Sequence, residues 1–221
     1  MTEDPHRARW DARFAAEEYV FGTAPNAFLV AEAERLRPGW KALVLADGEG
    51  RNGVWLARQG LDVTTVDFSP VGVAKAKRLA EQEGVAIRAI VADLNHWDWP
   101  EDEFDLVVGI SIQVFAPPER ARVFARMKQA LKPEGLLLLH GYRPEQIAYG
   151  TGGPSTPENL YTEELLRSAF ADFSIVRLLS HDSVIREGQG HNGISALIDL
   201  VAFRPDSKEN GSSWPGRGFG R

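Results

Sequence analysis

Residues 41–53 read Lys-Ala-Leu-Val-Leu-Ala-Asp-Gly-Glu-Gly-Arg-Asn-Gly and lead into Val54-Trp55-Leu56-Ala57. A short apolar strand runs straight into a glycine-rich turn and out into a helix. This is the opening βα unit of a nucleotide-type cofactor fold. Gly48 and Gly50 let the backbone turn tightly and come close to a ligand. The helix that follows aims its unpaired N–H groups at whatever sits there. Gly48-x-Gly50-x-x-Gly53 matches the dinucleotide fingerprint, and Asp67 closes the next strand at a distance suited to a ribose. The turn alone fits a dinucleotide, S-adenosylmethionine (SAM) or a plain bend, so the rest of the chain has to decide.

Strands and helices alternate after the turn. Apolar runs predict strands at 42–46, 62–67, 86–92, 104–110 and 136–141, with helices over 51–59, 70–83 and 118–131 between them. Ser69 and Pro70 form a good helix start. Continuously apolar strands separated by helices make a parallel sheet covered on both faces. Before this core, helices are expected over 6–20 and 27–36, separated by the Gly22 to Pro25 break. After it, residues 142–161 form a Gly/Pro-rich loop long enough to suggest function. A short helix at 162–170 follows. Two strands, 173–182 and 195–203, are then joined as a hairpin through Gly188-Gln-Gly-His-Asn-Gly193.

Composition narrows the partners. The 221 residues suffice for one α/β domain with a real core. A net charge of −6 without a basic stripe argues against nucleic acid. No cysteine is present, which removes disulfides, thiolate metal sites and a cysteine nucleophile. Five histidines without a His-x-x-x-His pair make no zinc site, so no metal is expected. The polar, acidic start and the lack of a long apolar run point to a cytoplasmic protein that does not engage membranes.

Three features favour SAM over NAD. Ala92-Asp93-Leu94 ends the third strand with a second carboxylate, placed to meet an adenine amino group. Glu103-Phe104-Asp105-Leu106-Val107-Val108 opens the fourth strand, and Leu131-Lys132-Pro133-Glu134-Gly135 leads into the fifth. The sheet then closes with a reversed strand where a dinucleotide domain would continue parallel. In these residues, over about 10 to 204, the chain resembles the class I SAM-dependent methyltransferases. Within them it is similar to the bacterial tellurite-resistance and thiol methyltransferase group, through Leu45–Asn52, Val66–Val71, Ala148–Pro154 and Glu187–His191. It departs from the usual pattern at Ala46, where a glycine is customary. An alanine there is compatible with SAM if its φ is negative.

The resemblance implies an α/β, doubly wound Rossmann-like domain. Its seven-stranded, mostly parallel sheet would run in the order 3-2-1-4-5-7-6, with the last strand antiparallel. It implies an N-terminal helical lid at 1–40 and a SAM-binding domain at 41–204, while the polar, aperiodic residues 205–221 read as a flexible tail. SAM would lie across the carboxyl edge of the central strands, in contact with Ala46, Asp47, Gly48, Gly50, Arg51, Asn52, Asp67, Phe68, Ala92, Asp93, Leu94, Ile110 and Ser111. Asp67 would take the ribose hydroxyls, and Asp93 the adenine. Their plainer roles are helix-start acid and strand-end cap. Trp10 and Phe14 would cover the sulfonium, since an aromatic face suits a cation. Their plainer role is core packing of an amphipathic helix.

The acceptor side draws on His140, Tyr142, Tyr149, Glu187 and His191, of which some face the substrate and others are satisfied structural groups. The function expected is in-line methyl transfer to a small-molecule nucleophile. No single strong base stands out, which favours a thiol or chalcogen acceptor. An NAD(P)-dependent reductase and a non-catalytic SAM sensor are the alternatives. The reductase reading suffers from the lack of a catalytic domain and of a Tyr-x-x-x-Lys pair. Nothing in the chain specifies an oligomeric state.

Overall fold

A computed structural model describes residues 5–206. The tail expected at 205–221 therefore lies almost wholly outside the described residues. Seven strands form one sheet in the order β3-β2-β1-β4-β5-β7-β6, as expected. They are β1 (Lys41–Leu45), β2 (Asp62–Asp67), β3 (Arg88–Val91), β4 (Phe104–Ile110), β5 (Leu131–Tyr142), β6 (Ser174–Glu187) and β7 (His191–Phe203). The first five pair in parallel, whereas β7 runs antiparallel to both β5 and β6.

The pleat divides the apolar strands between two cores. Leu43, Leu45, Val107, Leu137 and Leu139 face α5 (Pro117–Ala130) and α7 (Glu163–Ala169) through Val123, Phe124, Met127 and Leu166. Ala42, Val44, Leu106, Val108, Leu136 and Leu138 face the opposite way. They meet Phe28 and Leu29 of α2 (Ala27–Ala31) and Leu56 of α3 (Arg51–Arg58). Residues from α2 onward are thus part of the core, and only the chain before Asn26 remains as a possible lid. That chain includes α1 (Pro5–Phe14). The helix α4 (Pro70–Gln82) follows β2 and is capped by the Ser69 hydroxyl, which accepts the Gly72 N–H.

Two features of the carboxyl edge prepare the site. Ala46 and Ser111 follow the adjacent central strands β1 and β4, and both take left-handed backbone, with φ of 46° and 56°. Each still donates its N–H to the neighbouring strand, Ala46 to the Val66 carbonyl at 2.7 Å and Ser111 to the His140 carbonyl at 2.8 Å. The chain thus breaks away sharply at the strand ends where open α/β sheets bind ligands. Secondly, the β6–β7 hairpin is longer than expected. Pairing continues to Glu187↔His191, well past the last β5–β7 pair, Tyr142↔Leu197. The expected loop is therefore mostly strand, and the hairpin projects beyond the edge of the sheet.

Candidate active site

The glycine turn is packed against protein in the directions its missing side chains would take. A Cβ on Gly50, which has φ of 91°, would meet the Ala76 Cβ of α4 at 2.5 Å. Gly50 therefore permits close helix contact as much as ligand approach. A Cβ on Gly48 would meet the Phe14 ring at 3.1 Å. The Asp47 side chain turns inward, where its Oδ2 accepts the Gly53 N–H at 3.1 Å, while its Oδ1 has no hydrogen-bond partner. Burial pushes its pKa up to about 7. Asn52 was expected at the cofactor, but its side-chain oxygen accepts the Asn26 N–H at 2.9 Å and holds the start of α2.

Asp67 is the acceptor at the heart of the turn. Its Oδ2 accepts the Gly48 N–H at 2.8 Å and its Oδ1 the Ser69 N–H at 2.9 Å. Each carboxylate oxygen offers two lone-pair positions, so both can accept a further hydroxyl. Burial raises its pKa to about 6, despite those two hydrogen bonds. Beyond β3, the Ala92 N–H donates to the Asp67 carbonyl at 3.0 Å, which brings the ends of β2 and β3 together. Asp93 caps the strand end: Oδ1 accepts the Asn95 N–H at 2.9 Å, and Oδ2 lies 2.6 Å from His96 Nδ1. Leu94 and Ile110 are core residues at 6% and 7% exposure, so any part they take in a site is through their backbone. The Phe68 ring lies 5.6 Å from that of His6 on α1.

The helix α1 roofs the turn. Phe14 is buried against Gly48 and Gly72, and the Trp10 ring lies 5.3 Å from it. Asp11 accepts the Ser69 hydroxyl in a short contact. A buried latch that sequence reasoning missed then fixes the chain after α1. Lys75 of α4 donates to the carbonyls of Ala16 at 2.9 Å and Glu18 at 2.6 Å, and its Nζ lies 2.5 Å from Glu49 Oε1. Glu49 is the residue between the two glycines, and its Oε2 accepts the Val20 N–H at 2.8 Å. Only the glycine spacing drew attention to this turn, while the acid inside it ties the roof to the floor.

On the acceptor side, Glu187, His191 and Tyr142 come together. Glu187 Oε2 pairs with Arg51 Nη2 at 2.7 Å and faces His191 Nδ1 at 3.3 Å. Its Oε1 accepts from the Asn26 amide at 2.8 Å. Burial alone would raise the Glu187 pKa, but the His191 hydrogen bond and the Arg51 charge bring it to about 2. The His191 pKa is lowered, chiefly by burial. An ionised Glu187 can only accept, so a neutral His191 carries its proton on Nδ1 and presents a lone pair at Nε2. The His191 ring is held between Phe21, at 4.6 Å, and the edge of Tyr142, at 5.4 Å. Burial also raises the Tyr142 hydroxyl pKa.

The other two acceptor-side candidates lie elsewhere. Tyr149, on α6 (Gln146–Tyr149), donates its hydroxyl to Asp182 at 2.9 Å on the outer side of the hairpin. The Pro144–Glu145 start of this segment folds into a helical turn and carries the ring away from the cluster. His140 is a buried structural group: its Nδ1 lies 2.6 Å from Asp199, and its ring stacks on Phe28 at 5.4 Å. Arg51, expected at a cofactor carboxylate, is committed to Glu187.

Residues 42–135 match the profile of a family described as a methyltransferase domain. Over this part of its length the chain is similar to a methyltransferase domain. Hemagglutinin 1 of Eikenella corrodens is 34% identical to it over 181 residues, covering 80% of this chain and 58% of that protein. TehB from Haemophilus influenzae shares the fold with a TM-score of 0.68 at 19% identity, over 82% of this chain and 63% of that one. A structure concerned with conversion of a disulfide bond into a thioacetal group during echinomycin biosynthesis reaches a TM-score of 0.73 at 18% identity. It covers 93% of this chain and 95% of that one. The chain spans about half the length of the curated relatives it matches. A magnesium protoporphyrin IX methyltransferase from Synechocystis, which shares the fold with a TM-score of 0.58 at 18% identity, is known with SAM bound. The donor set of this chain suits SAM: an acidic acceptor at the end of β2, left-handed turns after β1 and β4, and an aromatic roof. Ala46 has φ of 46°, so the negative φ on which its compatibility with SAM was made to depend is not found: the alanine itself adopts the left-handed turn. The turn thus keeps the backbone shape that glycine supplies readily and carries the strain, on the order of 1–2 kcal/mol. No helix among the described residues is long and apolar enough to cross a membrane.

Proposed function

We propose that this protein transfers the SAM methyl group to a small-molecule nucleophile, with thiol and chalcogen acceptors favoured. The observation that carries this reading is the chain Arg51–Glu187–His191. It joins the first residue after the glycine turn to the hairpin that projects over it, at 2.7 Å and 3.3 Å. Bound SAM supplies an electrophilic methyl on a positively charged sulfur that is already a good leaving group. The protein's work is then positioning, proton removal and exclusion of water.

Asp67 would accept the two ribose hydroxyls. The ends of β3 and β4, at 92–94 and 110–111, would bracket the adenine through their backbone. Trp10 and Phe14 would close over the turn, and the segment before Asn26 would act as a lid. His191 Nε2 would take the acceptor's proton while Glu187 holds the ring and steadies the charge that forms. A thiol, with a reference pKa of about 8.5, gives up its proton to an imidazole at small cost, whereas an alcohol does not. Phe21 and Tyr142 would keep the site dry and small, which suits a metabolite rather than a protein or nucleic-acid strand.

Calorimetric titration with SAM, S-adenosylhomocysteine, NAD and NADP tests the cofactor, and a panel of thiols, amines and phenols tests the acceptor. SAM binding with transfer to thiols is the expected result. NAD binding would favour a reductase. SAM binding without transfer to any acceptor would favour a sensor.

A further inference from the structure

The helix α1 concentrates positive charge in a chain whose net charge is −6: Arg7, Arg9 and Arg13 stand on ten residues with one acid, Asp11. Asp11 is engaged with Ser69. Arg9 and Arg13 are one helical turn apart, so they repel each other. The other cations near the candidate acceptor site are neutralised locally, Arg51 by Glu187 and Lys75 by Glu49. Arg13 forms no ion pair with a carboxylate among the described residues, and Glu49, which acts on it through space, is already paired with Lys75. It is nevertheless held in place. Its guanidinium lies 5.0 Å from the Trp10 ring and 5.0 Å from the Phe21 ring, on which cations rest favourably.

Its position faces the hairpin. Arg13 Nη2 lies 3.1 Å from where a Cβ of Gly190 would stand, and the Phe21 ring it covers is the one packed on His191. The glycine turn is covered by Phe14 instead. Arg13 also acts electrostatically on His191. A guanidinium that makes no ion pair, with Glu49 acting on it only through space, stands one aromatic ring away from a neutral imidazole and is suited to bind an anion whose other end reaches that imidazole.

We propose that the methyl acceptor is a small thiol bearing a carboxylate, which Arg13 holds between Trp10 and Phe21 while the sulfur reaches His191. This rests on the methyl-transfer reading above. In the step, the S–H proton passes to His191 Nε2, the sulfur forms a bond to the methyl carbon, and the methyl–sulfonium bond breaks to leave S-adenosylhomocysteine. Arg13 and His191 pack on the same Phe21 ring, so a carboxylate and a sulfur separated by a few bonds can reach both.

The test is a ligand-observed NMR titration of the protein saturated with S-adenosylhomocysteine, using 3-mercaptopropionate and the neutral 2-mercaptoethanol. It is repeated with Arg13→Gln and Arg13→Lys, alongside turnover with both thiols. The native protein is expected to bind the carboxylate thiol about tenfold more tightly. Arg13→Gln should abolish that preference and Arg13→Lys should keep part of it, with S-adenosylhomocysteine affinity within about threefold in both. Equal binding of the two thiols by the native protein would overturn the proposal. So would a loss of S-adenosylhomocysteine affinity in Arg13→Gln with the thiol preference intact, which would assign Arg13 to the cofactor's own carboxylate. Preferential binding without any methyl transfer would leave the Arg13 site standing and remove the methyl-transfer reading. Equal transfer to both thiols would do the reverse.

Discussion

Arg51 and Glu187, 136 residues apart in sequence, form an ion pair of 2.7 Å in which the two side chains are only 9% and 11% exposed. The pair joins α3 to the tip of the hairpin, so the glycine turn and the hairpin are held as one unit. Removing one partner of a buried pair strands the other charge. Arg51→Gln is expected to cost about 3 kcal/mol, the low end for such a loss, because Asn26 and His191 still bond the carboxylate. Urea unfolding measures it. A cost within 0.5 kcal/mol, at about the level of an exposed pair, would mean the contact is solvated.

Stability should peak at mildly acidic pH. Glu187 has its pKa depressed to about 2, so its contribution is present above the ordinary carboxylate range and is lost as pH falls through about 2. Asp47 and Asp67 work in the opposite direction, with values raised to about 7 and about 6. Between their ordinary value and those figures the folded protein holds protons that the unfolded chain has lost, so stability declines as pH rises through that window. Urea midpoints between pH 3 and pH 8 give the profile, and Asp47→Asn should flatten the decline above pH 4.

The same reasoning applies to ligand binding. If Asp67 accepts ribose hydroxyls, its ionised form binds better. Affinity for S-adenosylhomocysteine should then rise as pH passes through about 6, with release of a proton. Calorimetry in buffers of different ionisation enthalpy counts that proton. Asp67→Asn should weaken binding by about 1.5–3 kcal/mol and remove the pH dependence. Unchanged affinity in this variant would place the ribose elsewhere.

Much of this arrangement could be read from the chain, for local reasons. The strands β1, β2 and β4 are apolar runs bounded by turn residues, and Ser69-Pro70 announces α4. Strand β3 came out shorter than expected, since it lies at the sheet edge with Arg88 and Val91 exposed and its pattern is diluted. Helix α1 ends at Phe14 instead of near residue 20 because Lys75 draws the carbonyls of Ala16 and Glu18 out of helical pairing. The length of the hairpin was hidden because its far pairs, such as Val184↔Ile194 and Arg186↔Asn192, are exposed and interrupted by Gly193. Asp67's place at the end of β2, where it bonds the glycine turn, was legible from its register after that turn. The pairing of Arg51 with Glu187, the latch at Glu49 and the diversion of Tyr149 to Asp182 depend on contacts across distant segments, which no local pattern encodes.

The latch makes a prediction of its own. Lys75→Met removes the ion that holds Ala16, Glu18 and Glu49 together. Hydrogen exchange in residues 14–22 should then accelerate while the sheet stays protected, since this segment opens independently of the core. If the segment is a lid, S-adenosylhomocysteine should restore protection in the variant and increase it in the native protein. Equal protection with and without ligand would make Trp10 and Phe14 ordinary packing residues.

The most direct measurement is transfer of a trideuteromethyl group from labelled SAM to 3-mercaptopropionate, followed by mass spectrometry, in the native protein and in His191→Gln. The account predicts a methylated thioether from the native protein. It predicts a rate lower by about 10²-fold or more in the variant, within the range that general-base catalysis supplies, with S-adenosylhomocysteine affinity changed by less than about threefold. Equal rates in the two proteins, or no methylated product from any thiol, would contradict it.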